Sequence, residues 1–122
     1  MKSLHVTLIP CRSVRNRGGL MYVSGISNII WSEETLPFVV PKASVFVRLT
    51  GKQVGGEYTL SLLSPGGDAL LSETRTIAPF DIAGISEDWF DLTWLALPQT
   101  GRYTLKLEIG GAEAGSCPLI VL

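Results

Sequence analysis

The chemistry open to this chain is limited first by its single histidine, His5. A metal site built from several histidines is excluded, and a Ser-His-Asp triad would have to use this one residue. No Gly-x-Ser-x-Gly motif is present to supply the serine of a hydrolase. We therefore expect His5 to be an ordinary strand residue, and we interpret the chain as a non-enzyme in which hydrolysis is the least supported activity.

Carboxylates are concentrated in residues 81–91, which contain Asp81, Glu87, Asp88 and Asp91. Their spacing matches no EF-hand loop, and calcium needs several oxygen ligands that point to one centre. A glycosidase pair is equally uninformative, because almost any chain of this size holds two carboxylates at a suitable separation. The pattern favours a solvated loop and predicts no metal and no cofactor. Asp88 and Asp91 remain candidate contacts of a binding surface.

Three arginines, Arg12, Arg15 and Arg17, lie close together and are followed by Gly18 and Gly19. This is not a Walker loop, since it does not precede a helix with the required lysine and hydroxyl. Nucleic-acid binding would favour aromatic residues between the arginines, and there are none. The net charge of −1 gives no general attraction to nucleic acid either. We expect a solvated turn whose arginines are candidate interface residues, and no nucleic-acid partner.

The tryptophans are the most informative candidates for binding. The alternation of residues 90–97 predicts that Phe90 and Trp94 point inward, which leaves Trp89 pointing outward or in a loop beside the acidic residues. An exposed tryptophan rimmed by charge is a frequent anchor for protein partners and for sugars. The alternative is an indole that folds back over the open end of the domain. Trp31 is open to the same two interpretations.

The composition indicates the kind of protein in which these residues stand. A chain of 122 residues can bury a core of its own, so we expect a single domain over residues 1–122. Hydrophobic residues make up 46% of the chain and charged residues only 17%, below the usual ~25%. This excess of apolar surface predicts a contact with a protein partner or a second copy of the chain. A dense core under an uncharged surface is the alternative.

The sequence also bears on location. The apolar start is interrupted by His5 and Thr7 and places Pro10 before Cys11, so it does not fit a signal segment, and no run is long enough to cross a membrane. We therefore expect a cytoplasmic protein without a membrane partner. Cys11 and Cys117 are then free thiols, and their spacing excludes a CxxC motif. They could pair only if the first and last strands are neighbours.

Alternation of apolar and polar residues predicts strands along most of the chain, most clearly over residues 102–109. Gly110 and Gly111 supply the positive φ angles of a tight hairpin turn into the last strand. Pro118 in that strand indicates an edge position or an irregular start, and Gly25 indicates a bulge in an earlier strand. The predicted strands cover residues 4–9, 20–30, 43–49, 57–63, 69–77, 90–97, 102–109 and 112–122.

About eight short strands separated by turn residues are typical of an all-β fold. We predict an antiparallel two-sheet sandwich of the immunoglobulin type, in which the polar segments 12–19 and 79–88 are connections. Helix is nearly absent from this prediction, because the only candidate segment is short and broken by glycine.

Several segments follow one another as they do in a known family: residues 15–25, Leu36-Pro37-Phe38, 45–49, 57–67 and 98–103. In this order the chain resembles an uncharacterised bacterial family of small β-sandwich proteins, the domain of unknown function 6941. The resemblance implies the fold and a cytoplasmic bacterial setting, and it implies no catalytic residue. The chain departs from the family after its first strand, where Pro10-Cys11-Arg12 stands instead of an acidic residue.

The leading hypothesis is a non-enzymatic protein-binding or assembly module that associates with itself or with a protein partner. It rests on the apolar excess, the low charge and the lack of a catalytic set. The alternative is a module that binds small ligands, carbohydrates among them, through Trp89 or Trp31 and nearby carboxylates. An exposed indole beside a concave polar patch would favour that alternative.

Overall fold

The computed structural model describes residues 4–31 and 38–122. Within these ranges the regular secondary structure consists of β-strands, without a helix. The all-β prediction is therefore confirmed. The described residues form ten strands rather than about eight, and these lie in three sheets rather than two. The strands are β1 His5–Cys11, β2 Ser13–Arg17, β3 Leu20–Ser24, β4 Ile29–Ile30, β5 Phe38–Thr50, β6 Glu57–Leu63, β7 Ala69–Thr76, β8 Ile85–Leu97, β9 Gly101–Ile109 and β10 Ala112–Val121.

The additional strands lie in segments that are rich in polar residues and glycine, which is why the sequence predicts connections there. Residues 12–19 are not a connection, because they contain β2 and the turn to β3, in which Gly18 and Gly19 have φ angles of 57° and 83°. Gly25 is not a bulge inside one strand, since β3 ends before it. A Cβ atom at Gly25 would lie 2.7 Å from the Cβ of Arg12, so this close approach requires glycine.

The second predicted connection, residues 79–88, is also partly a strand, since β8 begins at Ile85. The turn before it is organised by Asp81, whose Oδ1 accepts hydrogen bonds from the backbone amides of Ala83 at 2.9 Å and Ile85 at 3.0 Å. An aspartate that binds amides two and four residues ahead fixes a tight turn. This carboxylate therefore has a structural role at the start of β8.

A three-stranded antiparallel sheet has the order β1-β5-β8. The central strand, β5, places Ser44 opposite Cys11 of β1 and Val45 opposite Phe90 of β8. Among the described strands, β8 pairs with β5 alone, so its other side is an edge of the sheet.

A five-stranded sheet has the order β4-β10-β9-β6-β7. In it β6 forms a hairpin with β7. The predicted hairpin of the last two strands is confirmed as β9 with β10, which turns at Gly110 and Gly111 with φ angles of 61° and 81°. Pro118 lies on a part of β10 that pairs with β9 only, because β4 joins β10 in parallel at Ile120 and Val121. This agrees with the edge position expected for a proline.

The three-stranded and five-stranded sheets contribute to one hydrophobic core. Tyr58, Phe90 and Tyr103 are its largest buried side chains, and the rings of Tyr58 and Phe90 have centroids 5.5 Å apart. The hydroxyl of Tyr103 donates to the carbonyl of Gln99 at 2.6 Å, which satisfies a polar group that burial would otherwise make costly. The aliphatic part of the core consists of Val45, Val47, Leu49, Leu60, Leu62, Ile77, Leu92, Leu95, Leu97, Leu105, Leu107, Leu119 and Val121.

The β2–β3 hairpin forms a separate two-stranded sheet that covers part of the other face of the three-stranded sheet. Val14 is buried in a second small cluster with Cys11 and Phe46, against which Met21 and Trp89 pack. Trp89 is therefore half-buried beneath the hairpin. The hairpin leaves the remainder of this outer face uncovered.

The uncovered part begins at Pro41 of β5 and Trp94 of β8. At these two residues the alternation of inward and outward side chains shifts by one position in each strand. Leu92 and Leu95 are both buried, so the alternation of β8 loses its phase between them. The shift occurs at Trp94, whose φ angle is 52°. Trp94 lies opposite Pro41, and a proline has no backbone N–H to donate to the neighbouring strand. The prediction that Trp94 points inward is wrong, since the residue is 74% exposed.

Candidate functional site

The residues predicted as candidate contacts do not converge on one site. Trp89, Asp88 and Asp91 lie on β8, Arg15 and Arg17 lie on β2, and Arg12 and Trp31 lie at the mouth of a cavity. Each group has its own geometry, and a fourth place, around Trp94, was not predicted.

The backbone of Trp89 is held at the edge of the three-stranded sheet by two charged side chains. Its amide donates to Asp88 Oδ1 at 2.8 Å, and its carbonyl accepts from Arg75 Nη1 at 2.6 Å. Arg75 also pairs with Asp88 at 3.3 Å and lies 5.6 Å from the centre of the Phe90 ring. Arg75 thus joins β7 to β8 across the gap between the two larger sheets. Trp89 and Asp88 support this junction.

Asp91 is exposed on β8 and accepts a hydrogen bond of 2.7 Å from the hydroxyl of Ser44, a residue that is almost completely buried. The exposed pair Arg48 and Glu87 lies further along the same face, with Nε 2.7 Å from Oε2. The acidic residues of β8 are therefore engaged with different partners. Within residues 4–31 and 38–122, no three metal-ligating side chains gather into a group that could hold a metal.

Arg15 and Arg17 are exposed on the outer surface of the β2–β3 hairpin. Across the hairpin they face Tyr22 and Leu20, which are 50% and 62% exposed. Arg15 therefore lies beside an aromatic residue, Tyr22, although the two are seven positions apart in the sequence. The turn residues Gly18-Gly19 carried the signal of a hairpin, which would have predicted the Arg15 and Tyr22 pair.

Arg12 and Trp31 do come together, at a cavity of about 790 Å³ that we call the Trp31 cavity. It opens between β4 and the first part of β5, and its inner wall includes Leu95, Leu105 and Leu119 of the core. Trp31 is 65% exposed at the mouth. Because the cavity is built from several distant segments, no local pattern in the sequence predicts it.

Trp94 is the feature of the surface that sequence reasoning missed. A bulky residue at positive φ is a true conformational outlier. Its backbone strain lowers the free energy of unfolding, and other contacts in the fold must compensate for it. Beside it on the outer face lie Val39, which is 45% exposed, and Ala96, the residue paired with Val39. The result is an exposed apolar patch at the sheet edge, which we call the Trp94 patch.

Both cysteines are free in the described structure, so no disulfide links the first and last strands. Burial raises the pKa of the Cys11 thiol, whose Sγ donates to the carbonyl of Ser44 at 3.5 Å. Burial also raises the pKa of Cys117, to about 11. A raised pKa leaves little of the reactive thiolate at neutral pH. Neither cysteine is therefore poised as a nucleophile.

Residues 7–122 match a family of unknown function, DUF6941. The chain belongs to this family. Membership of DUF6941 confirms the resemblance found in the sequence and covers every strand except the start of β1. No curated protein and no solved structure matches the chain. In the part of the chain that the structure describes, no helix could cross a membrane.

Proposed function

We propose that this DUF6941 protein is a non-enzymatic assembly module that associates with a second copy of itself through the second half of β8. The observation that carries the proposal is the Trp94 patch, an exposed tryptophan held at positive φ on an open sheet edge. The low charge of the chain and its apolar excess support the same conclusion.

The second half of β8 lacks the features that keep sheet edges apart. Residues 92–97, Leu-Thr-Trp-Leu-Ala-Leu, contain no charged side chain and no proline. Natural edge strands are usually blocked by lysine, proline or a covering element, and an apolar edge without them pairs readily with another strand. A second copy that adds its own residues 92–97 would extend the three-stranded sheet.

The orientation of the backbone supports this arrangement. Trp89 directs its amide and carbonyl away from β5, since both are bound by side chains at the edge. In an antiparallel strand, alternate residues direct their backbone groups to the same side. Those of Asp91 and Thr93 therefore also face away from β5, and a partner strand could bind them.

A lysine at the edge is expected to prevent the association. Thr93→Lys places a charge beside the backbone groups that a second copy would pair, and burying that charge without a partner is costly. The wild-type protein is expected to show a concentration-dependent dimer in sedimentation equilibrium, and Thr93→Lys is expected to remain monomeric over the same concentrations.

The matched control is Thr104→Lys, which makes the same change on β9, a strand with a neighbour on each side. This variant should dimerise as the wild type does. A wild-type protein that stays monomeric at high concentration would refute the proposal. So would a Thr93→Lys variant that dimerises like the control.

The strain at Trp94 gives a separate prediction. Asparagine tolerates positive φ better than tryptophan, and the exposed indole adds little buried area to the monomer. Trp94→Asn is therefore expected to raise the free energy of unfolding of the monomer by about 1 kcal/mol and to weaken dimerisation. Urea unfolding at low concentration measures the first effect, with Trp31→Asn as the exposed control. A less stable Trp94→Asn monomer would show that no strain is stored there.

Two further features support the finer description of the fold as an immunoglobulin-like sandwich. The two larger sheets share one core, and the hydroxyl of Tyr103, near the start of β9, donates to the carbonyl of Gln99 in the preceding connection. The second contact is like the tyrosine corner of immunoglobulin domains. The free thiols Cys11 and Cys117 support a reducing cytoplasmic location.

The small-ligand hypothesis is favoured at one place only. Trp31 is exposed beside a concave surface, whereas Trp89 is half-buried under the hairpin. The described walls of the Trp31 cavity are mainly apolar, which suits an apolar group better than a carbohydrate.

A further inference from the structure

We propose that the Trp31 cavity binds a small amphipathic anion, that is, an aliphatic chain with a carboxylate or phosphate head. The cavity shares Leu92 and Leu95 with β8, but it uses their core-facing side chains, whereas the proposed self-association uses the backbone edge and the outer face of that strand. Ligand binding therefore does not depend on the self-association. Its volume of about 790 Å³ lies within the range of sites for small organic ligands.

The interior of the cavity provides the apolar half of the site. Its accessible apolar surface comes from Ile29, Trp31 and Val40, which are exposed or half-buried. Behind them the floor is formed by buried leucines from both larger sheets, Leu92, Leu95, Leu105 and Leu119. An aliphatic chain placed there would be removed from water on the side that contacts this apolar lining, which is the main source of affinity for such ligands.

The rim provides the charged half. Arg12 and Lys42 both line the cavity and are exposed, and the described lining residues include no aspartate or glutamate. Arg12 offers several N–H donors in a planar group that matches a carboxylate or phosphate, and Lys42 adds a second positive charge. Ser44 also lines the cavity, and its hydroxyl donates to the carboxylate of Asp91, which is not itself a lining residue. The two positive charges of the rim outnumber this one negative charge.

The positive rim therefore favours an anionic head group, and the apolar lining favours an aliphatic tail. A neutral alcohol could use only the apolar lining, and a cationic amphiphile would be repelled by the rim. Trp31 at the mouth provides a fluorescent reporter, because a ligand that enters the cavity changes the surroundings of its exposed indole.

The experiment compares decanoate, decyl phosphate, decanol and decyltrimethylammonium by calorimetric titration at low salt. Tryptophan fluorescence is the second measurement, and a Trp31→Phe variant gives the signal of Trp89 and Trp94 to be subtracted. Decanoate and decyl phosphate are expected to bind at least about tenfold more tightly than the cation, since a charge-assisted hydrogen bond is lost and replaced by repulsion. Decanol should fall between them. The order of decanoate and decyl phosphate identifies the head group.

Variants test the location. The double change Arg12→Gln and Lys42→Gln should remove the preference for anions while leaving decanol binding intact. The control Arg15→Gln and Arg17→Gln removes the same charge from the hairpin and should leave the preference unchanged. Ala43→Phe, which fills the cavity from β5, should weaken all four ligands.

Equal affinity for the anions and the cation would overturn the proposal, as would unchanged binding in Ala43→Phe. Absence of binding by every amphiphile would overturn it too. The thermal unfolding of each variant is measured in parallel, so that a loss of fold is distinguished from a loss of binding.

Discussion

Replacing Phe90 with alanine is expected to lower the free energy of unfolding by about 3–5 kcal/mol, the largest effect of any single substitution proposed for this chain. Phe90 is completely buried and lies opposite Val45 at the centre of the three-stranded sheet. Its ring packs against Tyr58 of the five-stranded sheet and lies beneath the guanidinium of Arg75. Its removal leaves a cavity where the two sheets meet.

Urea unfolding at neutral pH measures the loss. Thr76→Ala, an exposed change on β7 away from the proposed contact on β8, is the control and should change stability by less than about 0.5 kcal/mol. Phe90→Leu keeps much of the volume and should give an intermediate loss if the alanine variant does not fold. A Phe90→Ala protein as stable as Thr76→Ala would mean that Phe90 is not a centre of the core.

The second large effect is a loss of stability at alkaline pH. Burial and the nearby carboxylate of Asp88 raise the pKa of Tyr58 from 10.0 to about 12, against the opposing effect of Arg75. Below pH 10 both the folded and the unfolded chain carry the neutral phenol, so this group does not make stability depend on pH. Between pH 10 and 12 the unfolded chain loses the proton while the folded chain keeps it. Unfolding is then favoured by up to about 2.7 kcal/mol in total.

Unfolding experiments across this pH range, with tyrosinate absorbance as a check on the titration, measure the effect. Tyr58→Phe should remove most of the decline between pH 10 and 12. The loss of stability that begins near pH 9 should persist in this variant, because burial also raises the pKa of Cys117, from 9.0 to about 11. If Tyr58→Phe and the wild type lose stability in parallel, the Tyr58 phenol is not protected in the folded state.

Much of the fold could be predicted because apolar and polar residues alternate wherever one face of a strand is buried. Residues 102–109 show this clearly, and Gly110-Gly111 marks their turn; both were found as β9 and its hairpin. The β2 strand was missed because its hairpin covers only a small cluster, so just Val14 among its residues is buried. A polar strand of this kind resembles a loop in sequence.

The candidate site was harder to predict, since it depends on contacts between distant segments. The inward orientation predicted for Trp94 assumed that alternation continues to the end of β8. It stops because Pro41, far away in sequence, stands opposite Trp94 and both strands reverse their faces there. The Trp31 cavity likewise joins Arg12, Lys42 and Leu119 from separate segments, and only the folded chain brings them together.

The contact between Arg75 and the Trp89 carbonyl has a consequence for how large an assembly can grow. Together with Asp88, it occupies the backbone amide and carbonyl of Trp89 at the β8 edge and links β8 to β7, which is the edge of the other large sheet. Only a short stretch of β8 is left to recruit another strand. In a dimer with two-fold symmetry, that stretch of each copy is paired with the same stretch of the other copy. Growth through β8 therefore stops at two copies, so the chain can expose an apolar edge and still form a closed dimer.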